Sequence, residues 1–328
     1  NAGNCNYVTV VGGQSNDAQA DYTFIGGGRS NGIDDVASDS AIVGGSTNCI
    51  SGDTNGVFIG GGTNNCISGE YIEHTFIGGG NLNYINGDCS NGNSYSVIVG
   101  GCCNKTGGDC SFIGGGNNNT ISSISTYSNS YTCYPNVIVG GCQNTISSYS
   151  GTYSLYTDGG ANFIGGGVTN SMTNAGYANT IVGGCANKIC NNTNSGYASL
   201  SFIGGGYNNV ACCSGASIVG GISNRAYSSY TFIGGGSSNH ACGGRSSVVG
   251  GVNNWIESGG VCSFIGGGYS NCITQRCSGI LGGCNSTIAH CHSFAIGSGL
   301  ISTAICTTYI NNATVACHLQ VGGTTTMN

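Results

Sequence analysis

The amino-acid sequence predicts an all-β fold, a parallel β-solenoid of about 17 short coils with one coil for each repeat of 15 or more residues. Three observations support this prediction. A glycine-rich phrase recurs along most of the 328 residues, its spacing is too short for a pair of helices, and its apolar positions follow the period of a strand. We assign residues 1–301 to the solenoid and 302–328 to a degenerate C-terminal segment or the start of a further region.

The recurring phrase has two spellings that mostly alternate along the chain. Residues 232–239 read Phe-Ile-Gly-Gly-Gly-Ser-Ser-Asn, and residues 217–224 read Ser-Ile-Val-Gly-Gly-Ile-Ser-Asn. We number each unit from the last glycine of its phrase, position zero. The commonest spacing between these glycines is 15 residues, which fits two short strands and two tight turns. The position-zero glycines are Gly13, Gly28, Gly45, Gly62, Gly80, Gly101, Gly116, Gly141, Gly167, Gly184, Gly206, Gly221, Gly236, Gly251, Gly268, Gly283 and Gly299.

Two aliphatic columns predict the interior of the coils. Position −3 is Ile or Val in almost every unit, and position +5 is usually Ile or Ala. Because alternate strand residues point to the same side, we place both columns inside the solenoid. Each buried aliphatic side chain stabilises the fold by roughly 1.5–3 kcal/mol. The predicted core residues at position −3 are Ile25, Ile42, Ile59, Ile77, Ile98, Ile113, Ile138, Ile164, Ile181, Ile203, Ile218, Ile233 and Ile265.

Asparagine occupies position +3 in fifteen of the seventeen units, and Ser286 and Ser302 occupy the other two. Stacked asparagines can form an amide ladder from coil to coil. They can also adopt the left-handed conformation or cap a turn, and a ligand role is a less favoured alternative. The ladder predicted from the sequence comprises Asn31, Asn48, Asn65, Asn104, Asn119, Asn144, Asn209, Asn224, Asn239, Asn254 and Asn271.

The opposite side of the first strand carries the alternation between the two spellings. Where position −4 is Phe, position −2 is Gly; where position −2 is Val or Leu, position −4 is small or β-branched. This exchange conserves volume, so it predicts a second packed face, covered by another part of the coil or by another chain. The residues predicted to form this face are Phe24, Phe58, Phe76, Phe112, Phe163, Phe202, Phe232 and Phe264.

Two stretches of the repeat resemble known families. Residues 293–299 read Ser-Phe-Ala-Ile-Gly-Ser-Gly, which is similar to the Ser-Val-Ala-Ile-Gly repeat in the heads of YadA-like trimeric autotransporter adhesins. The wider pattern Gly-Gly-x-x-Asn-x-Ile/Ala-Ser-Gly resembles glycine-rich repeats of phage and large-virus fibre proteins. The resemblance covers roughly residues 8–301 and implies left-handed parallel β-rolls assembled as a homotrimer. The longer unit, the many cysteines and the lack of a visible coiled-coil stalk or membrane anchor depart from the adhesin pattern.

Composition limits the location and the partners of the chain. Charged residues make up only 5%, and the net charge of −6 comes without a basic patch, so we expect no nucleic-acid partner. No apolar run approaches the ~20 residues of a membrane span. The 21 cysteines favour an oxidising setting, so we expect an extracellular, cell-surface or virion-surface location. Since the sequence begins at Asn1, we interpret it as a processed or truncated product.

Some cysteines share a column in consecutive units. Cys49 and Cys66 both occupy position +4, which would place their Cα atoms ~5 Å apart, and we predict a disulfide between them. Cys190 and Cys212 share position +6 in the same way. The segment His290-Cys291-His292 is a poor metal site, because alternation puts Cys291 on the side opposite to both histidines. We expect neither a metal nor a cofactor.

Loop insertions are concentrated at residues 81–206 and are rich in Tyr and Ser. Insertions in solenoids usually emerge on one side, often the binding side, so these residues are candidates for contact with a glycan or protein receptor. A tolerated surface insertion or packing between chains is the competing interpretation. The candidate contact residues are Tyr127, Tyr131, Tyr134, Tyr149, Tyr153 and Tyr156.

These patterns predict a structural protein rather than an enzyme. The twelve acidic residues are scattered, and no His has a recurring Ser or Asp partner. We expect a fibre or adhesin segment that mediates attachment through a rigid shaft and associates with itself, as a trimer or as an end-to-end filament. A self-assembling extracellular filament without a receptor role is the alternative. An ice-binding protein and a β-helical polysaccharide-active enzyme are less favoured, because no Thr-x-Thr column and no catalytic constellation recur.

Overall fold

The structure, a computed structural model, describes residues 6–87, 95–107, 110–124, 135–149, 160–190 and 199–311. Over these residues the chain is all-β and winds into a parallel β-solenoid, so the predicted fold class is confirmed. Strands pair in parallel with their counterparts one coil later, as Phe24 does with Ala41 and Ile25 with Ile42. The pairing is in register except for a shift after Ser147 in the strand Thr145–Tyr149. The repeat is therefore the structural unit, and adding repeats lengthens the stack.

The described strands form two long sheets and one short one. The first sheet has 18 strands, built around positions −4 and −3 of each unit. Its strands are Thr9–Val10, Phe24–Ile25, Ala41–Ile42, Phe58–Ile59, Phe76–Ile77, Val97–Ile98, Phe112–Ile113, Val137–Ile138, Phe163–Ile164, Thr180–Ile181, Phe202–Ile203, Ser217–Ile218, Phe232–Ile233, Ser247–Val248, Phe264–Ile265, Gly279–Ile280, Phe294–Ile296 and Thr308–Ile310.

The second sheet has 16 described strands and begins at position +4 of each unit. Its strands are Asp17–Ala18, Gly32–Ile33, Cys49–Ser51, Cys66–Gly69, Tyr84–Gly87, Lys105–Thr106, Thr120–Ile124, Thr145–Tyr149, Ser171–Ala175, Lys188–Cys190, Val210–Ala211, Arg225–Ala226, His240–Ala241, Trp255–Ile256, Cys272–Ile273 and Thr287–Ile288. A third sheet of three strands occurs where successive units are longer, and consists of Ala37–Ser38, Thr54–Asn55 and Ile72–Glu73.

The core is a single cluster enclosed between the first and second sheets. All thirteen isoleucines predicted at position −3 have 0% of their surface exposed. The column at position +5 faces them, and Ile50, Ile67 and Ile146 are equally buried. The last unit is shifted by one residue relative to the sequence alignment on Gly299. There Ala295 pairs with Ile280 in the interior column, while Ile296 is 37% exposed.

The asparagines at position +3 form a continuous buried ladder. The side-chain amide of Asn48 donates hydrogen bonds to the Gly44 carbonyl at 2.9 Å and to the Gly62 carbonyl of the next coil at 3.1 Å. Its carbonyl oxygen accepts the backbone N–H of Asn65 at 3.0 Å. This arrangement satisfies polar groups that would be costly to bury unpaired. The ladder also includes four asparagines of the same column that were not among those named from the sequence: Asn16, Asn83, Asn170 and Asn187.

A second polar column at position −5 was not predicted. It is occupied mostly by Ser, Thr or Asn, and these side chains are buried. In its middle, the Asn136 side-chain oxygen accepts both the backbone and side-chain N–H groups of Asn162 at 3.3 and 3.0 Å, and Asn162 serves Asn179 in the same way. Both corners of the coil are thus lined by buried polar side chains, with the aliphatic core between them.

The turns depend on left-handed backbone at fixed positions. The residue at position +2 has a φ near +55°, whatever its type, as in Thr47 and Leu82. The glycine at position zero has a φ of about +90°, and a Cβ there would meet the backbone of the next coil, as at Gly45 and Gly62. Glycine is therefore required at position zero by both conformation and space.

Candidate functional site

The outer face of the first sheet is an exposed apolar surface, which we call the apolar strip and define as the side chains at positions −4 and −2. Phe24 and Phe232 are 38% and 39% exposed, and Val43 and Val219 are 47% and 51% exposed. The expectation that another part of the coil covers this face is wrong for the described residues. Each coil encloses one core between two sheets, so the even positions of the first sheet point away from the chain.

The predicted second-face phenylalanines therefore lie on the surface of the chain. Seven of them are between 36% and 39% exposed, and Phe58 is partly buried. The residues concerned are Phe24, Phe58, Phe76, Phe112, Phe163, Phe202, Phe232 and Phe264.

Positions −4 and −2 alternate between Phe with Gly and a small residue with Val, and both side-chain volume and backbone contacts explain this alternation. A Cβ on Gly26 would lie 3.2 Å from the ring of Phe24, as the exchange of volumes predicts. It would also collide with the carbonyl oxygen of Val43 in the next coil. We call a turn Phe-type where position −4 is Phe and position −2 is Gly, and Val-type where position −2 is Val or Leu. Gly27, in a Phe-type turn, has a φ of +148°, whereas Gly44, in the following Val-type turn, has no positive φ. The two spellings thus encode two turn conformations that alternate along the stack.

Phenylalanine can also occupy consecutive coils. Phe58 and Phe76 belong to successive units, and their rings stack with centroids 5.4 Å apart and an interplanar angle of 2°. Two successive Phe units break the alternation of the two spellings, but the strip remains continuous. The glycines at position −2 of both coils, Gly60 and Gly78, make room for the rings.

The apolar strip is long and carries no charge in the described coils. Positions −4 and −2 hold only Gly, Ala, Ser, Thr, Val, Leu, Ile and Phe from Thr9 to Ile296. At ~4.8 Å per coil the strip is ~80 Å long. Contiguous apolar patches on monomeric proteins seldom exceed roughly 600 Å², and larger ones mark interaction sites. The strip is therefore the largest candidate functional surface that the sequence pattern identified.

The disulfide predicted between Cys49 and Cys66 is not formed in the structure. The two residues pair in register on neighbouring strands, but both are free thiols. The Cys66 thiol instead hydrogen-bonds the Cys49 sulfur, which lowers the pKa of Cys49 to about 7 and raises the pKa of Cys66. The two thiols are therefore neighbours in register without a covalent bond between them.

The other in-column pair, Cys190 and Cys212, does form a disulfide, with Cα atoms 4.7 Å apart. The bridge links two consecutive coils at position +6 on the second sheet side. Parallel, in-register stacking thus brings cysteines of neighbouring coils within bonding distance. The sequence showed that these two cysteines share a column, but the disulfide predicted from the sequence was the one between Cys49 and Cys66.

Most of the candidate receptor tyrosines lie outside the described residues: Tyr127, Tyr131, Tyr134, Tyr153 and Tyr156. Tyr149 ends the strand Thr145–Tyr149. Three successive strands of the second sheet are five residues long where the insertions arise, namely Thr120–Ile124, Thr145–Tyr149 and Ser171–Ala175. In sequence, the longest insertions follow the first two of these strands and precede the next strand of the first sheet.

The structure adds two findings on metals and membranes. Across the described ranges, no group of three or more His, Cys, Asp or Glu side chains is placed to hold a metal ion. His290 instead contacts the Ser302 hydroxyl through Nδ1 at 3.0 Å. Within the same ranges the chain contains no helix long and apolar enough to cross a membrane.

The fold defines the class of the protein: a β-solenoid repeat protein with one exposed apolar sheet face. No protein-family model matches the sequence, and no curated protein matches it.

Proposed function

We propose that this chain is a rigid structural segment of a fibre or adhesin that works outside the cell or on a virion. The observation that carries the proposal is the apolar strip, which stays exposed along the whole described solenoid. Continuous backbone ladders and the buried asparagine ladder support a mechanical role, because each coil is hydrogen-bonded to both neighbours. The cross-coil disulfide Cys190–Cys212 is of the kind that persists in an oxidising location, although fourteen other cysteines of the described ranges are free thiols.

The partner that covers the apolar strip is, in this proposal, further copies of the same chain. A strip ~80 Å long and about two outward side chains wide offers on the order of 700 Å² per copy, near the ~800 Å² that each partner contributes to a stable interface. A surface without charges can be buried against its own copy without desolvating an ion. A homotrimer is the assembly in the adhesin heads that the repeat resembles. An end-to-end filament is the competing assembly.

Attachment completes the proposed function. The insertions at 81–206 follow strands of the second sheet in sequence, and in this proposal they stay accessible when the apolar strip is covered. We therefore keep the tyrosine-rich loops as candidates for receptor contact. Catalysis has no part in this proposal, and the rods act through shape, stability and surface contacts.

Charge substitutions in the strip test the proposed assembly. Phe202→Asp places a carboxylate in the covered face, and we expect the dissociation constant of the assembly to rise at least about a hundredfold, because an unpaired buried charge is strongly unfavourable. Thr287→Asp, on the outer face of the second sheet, is the matched control and should leave assembly unchanged. Sedimentation velocity over a range of concentrations measures the assembly of the wild type and of both variants. A wild-type protein that is monomeric at all concentrations, or a Phe202→Asp variant that assembles normally, would overturn the proposal.

A further inference from the structure

A cluster of aromatic and charged side chains lies on the outer face of the second sheet, opposite the apolar strip. The strands that begin at Arg225, His240 and Trp255 are consecutive, and these three residues pair in register, Arg225 with His240 and His240 with Trp255. The residue after each of them is fully buried, so the three side chains point outward, one coil apart. Together with Tyr227 and Glu257 they form what we call the Trp255 platform.

The platform is held in place by contacts among its own side chains. The Arg225 guanidinium donates a hydrogen bond to the Tyr227 hydroxyl at 2.7 Å and lies 6.0 Å from the centroid of its ring. The rings of His240 and Trp255 are 5.3 Å apart and tilted by 47°. A ligand that binds here meets side chains that are already ordered, which lowers the entropic cost of binding.

Trp255 is the most unusual member of the platform. It is the only tryptophan in the chain, and it is 48% exposed at the first position of the strand Trp255–Ile256. Burial, helped by the nearby Arg225, lowers the pKa of His240, so the imidazole is neutral at pH 7. The floor of the platform is therefore aromatic and uncharged.

Charged groups stand at the two ends of this aromatic floor. Arg225 lies one coil before His240, and Glu257 lies on the coil of Trp255, on the same outward side. The guanidinium supplies hydrogen-bond donors and the carboxylate supplies acceptors. The two residues are two coils apart, which corresponds to about 10 Å along the stack. A ligand that complements this set needs an apolar face for the indole, both donors and acceptors at its edges, and no net charge.

We propose that the Trp255 platform binds carbohydrate, with one pyranose ring lying against the exposed indole and its hydroxyls paired with Arg225 and Glu257. Sugars combine an apolar C–H face with neutral hydroxyl edges, which is the combination that the platform requires. Three coils offer on the order of 200 Å², well below the ~800 Å² that a protein partner needs. This inference rests on the proposed attachment function and gives it a second contact point, separate from the tyrosine-rich loops.

The single tryptophan allows a direct test, because its fluorescence reports on this site alone. The full chain is titrated with chitotetraose, cellotetraose, maltotetraose and mannotetraose while the emission of Trp255 is followed, and the same chain is applied to a printed glycan array. We expect at least one sugar to shift or quench the emission saturably. Trp255→Ala should weaken binding of that sugar on the array at least about tenfold.

Two controls make the outcome decisive. Tyr269→Ala removes another exposed aromatic side chain, 54% exposed at a different corner of the coil, and should bind as the wild type does. Unchanged circular dichroism and melting of Trp255→Ala exclude a folding defect. The inference is overturned if no sugar perturbs the emission, if Trp255→Ala binds the same glycans equally well, or if only a protein ligand binds at Trp255. If one of these outcomes occurs while the chain assembles normally in the sedimentation experiment, carbohydrate binding at the Trp255 platform is refuted and the proposed function is not.

Discussion

At the scale of single residues, the fold depends on side chains that connect one coil to the next. Each ladder asparagine has several hydrogen-bonding tasks: Asn254 donates to the Gly250 and Gly268 carbonyls at 3.0 Å each, and its oxygen accepts the backbone N–H of Asn271 at 3.1 Å. Serine can supply part of this hydrogen bonding. At the C-terminal end of the column, the Ser286 backbone N–H donates to the Asn271 side-chain oxygen and the Ser286 hydroxyl donates to the Gly297 carbonyl. The nearly constant asparagine in the sequence reflects this combination of donor and acceptor on one short side chain.

Removal of one ladder asparagine should be costly. Asn254→Ala leaves the Gly250 carbonyl and the Asn271 backbone N–H without their buried partner, while the Gly268 carbonyl keeps the N–H of Val252. We expect the unfolding free energy to fall by about 3 kcal/mol. Asn117→Ala is the matched control, because Asn117 is exposed, has no positive φ, and its side-chain oxygen only accepts a 4.0 Å contact from the Cys142 thiol. Its effect should stay below about 1 kcal/mol. Urea unfolding of both variants measures the difference, and equal losses would contradict the ladder.

The Cys49 thiol should react at an unusually low pH. Its pKa is lowered to about 7, chiefly by the hydrogen bond from Cys66, so it forms thiolate above pH 7 instead of near pH 9. The rate of alkylation by iodoacetamide, followed by peptide mass spectrometry, should therefore rise through pH 7. Cys66→Ala removes the donor and should move this midpoint upward. A wild-type midpoint above pH 8.5, or no change in the variant, would contradict the lowered pKa of Cys49 and its assigned cause.

At the scale of the elements, strands of two residues are stable because every one of them is stacked between two others. The turns make this stacking possible, since they combine glycine at position zero with left-handed backbone at position +2. Their alternation between Phe-type and Val-type conformations also gives the apolar strip its pattern. The turn geometry thus sets the chemistry of the outer face.

Adjacent glycines of one turn should respond differently to a methyl group. Gly251 has a φ of +89°, and a Cβ there would meet the Gly268 backbone, whereas a Cβ on Gly250 has nothing within 4 Å. We expect Gly251→Ala to destabilise the protein by at least ~3 kcal/mol and Gly250→Ala to change stability by less than about 1 kcal/mol. Thermal unfolding distinguishes the two. Similar melting temperatures for both variants would refute the assigned turn.

Sequence columns predicted those parts of the fold in which one residue type repeats. The isoleucines at position −3 and the asparagines at position +3 are nearly constant, so their roles could be inferred. The left-handed residues at position +2 are as different as Thr47 and Leu82, because what the turn requires is a backbone conformation. The Trp255 platform could not be predicted either, since its residues occur once and become neighbours only through the register between coils.

At the scale of the whole molecule, the two long sheets have different outer faces. The first sheet presents an uncharged apolar strip along the solenoid, and the second presents the long strands from which the insertions arise, and the Trp255 platform. This asymmetry suits a rod that associates through one face and makes outside contacts through the other. The central claim of the account is therefore that the apolar strip is buried between copies of the chain.

Electron microscopy of the purified full chain tests this claim most directly. We expect rods with a solenoid portion ~80 Å long whose cross-section contains more than one solenoid, with the first sheets facing the centre. Class averages of rods one solenoid wide, with the first sheet facing solvent, would contradict the claim.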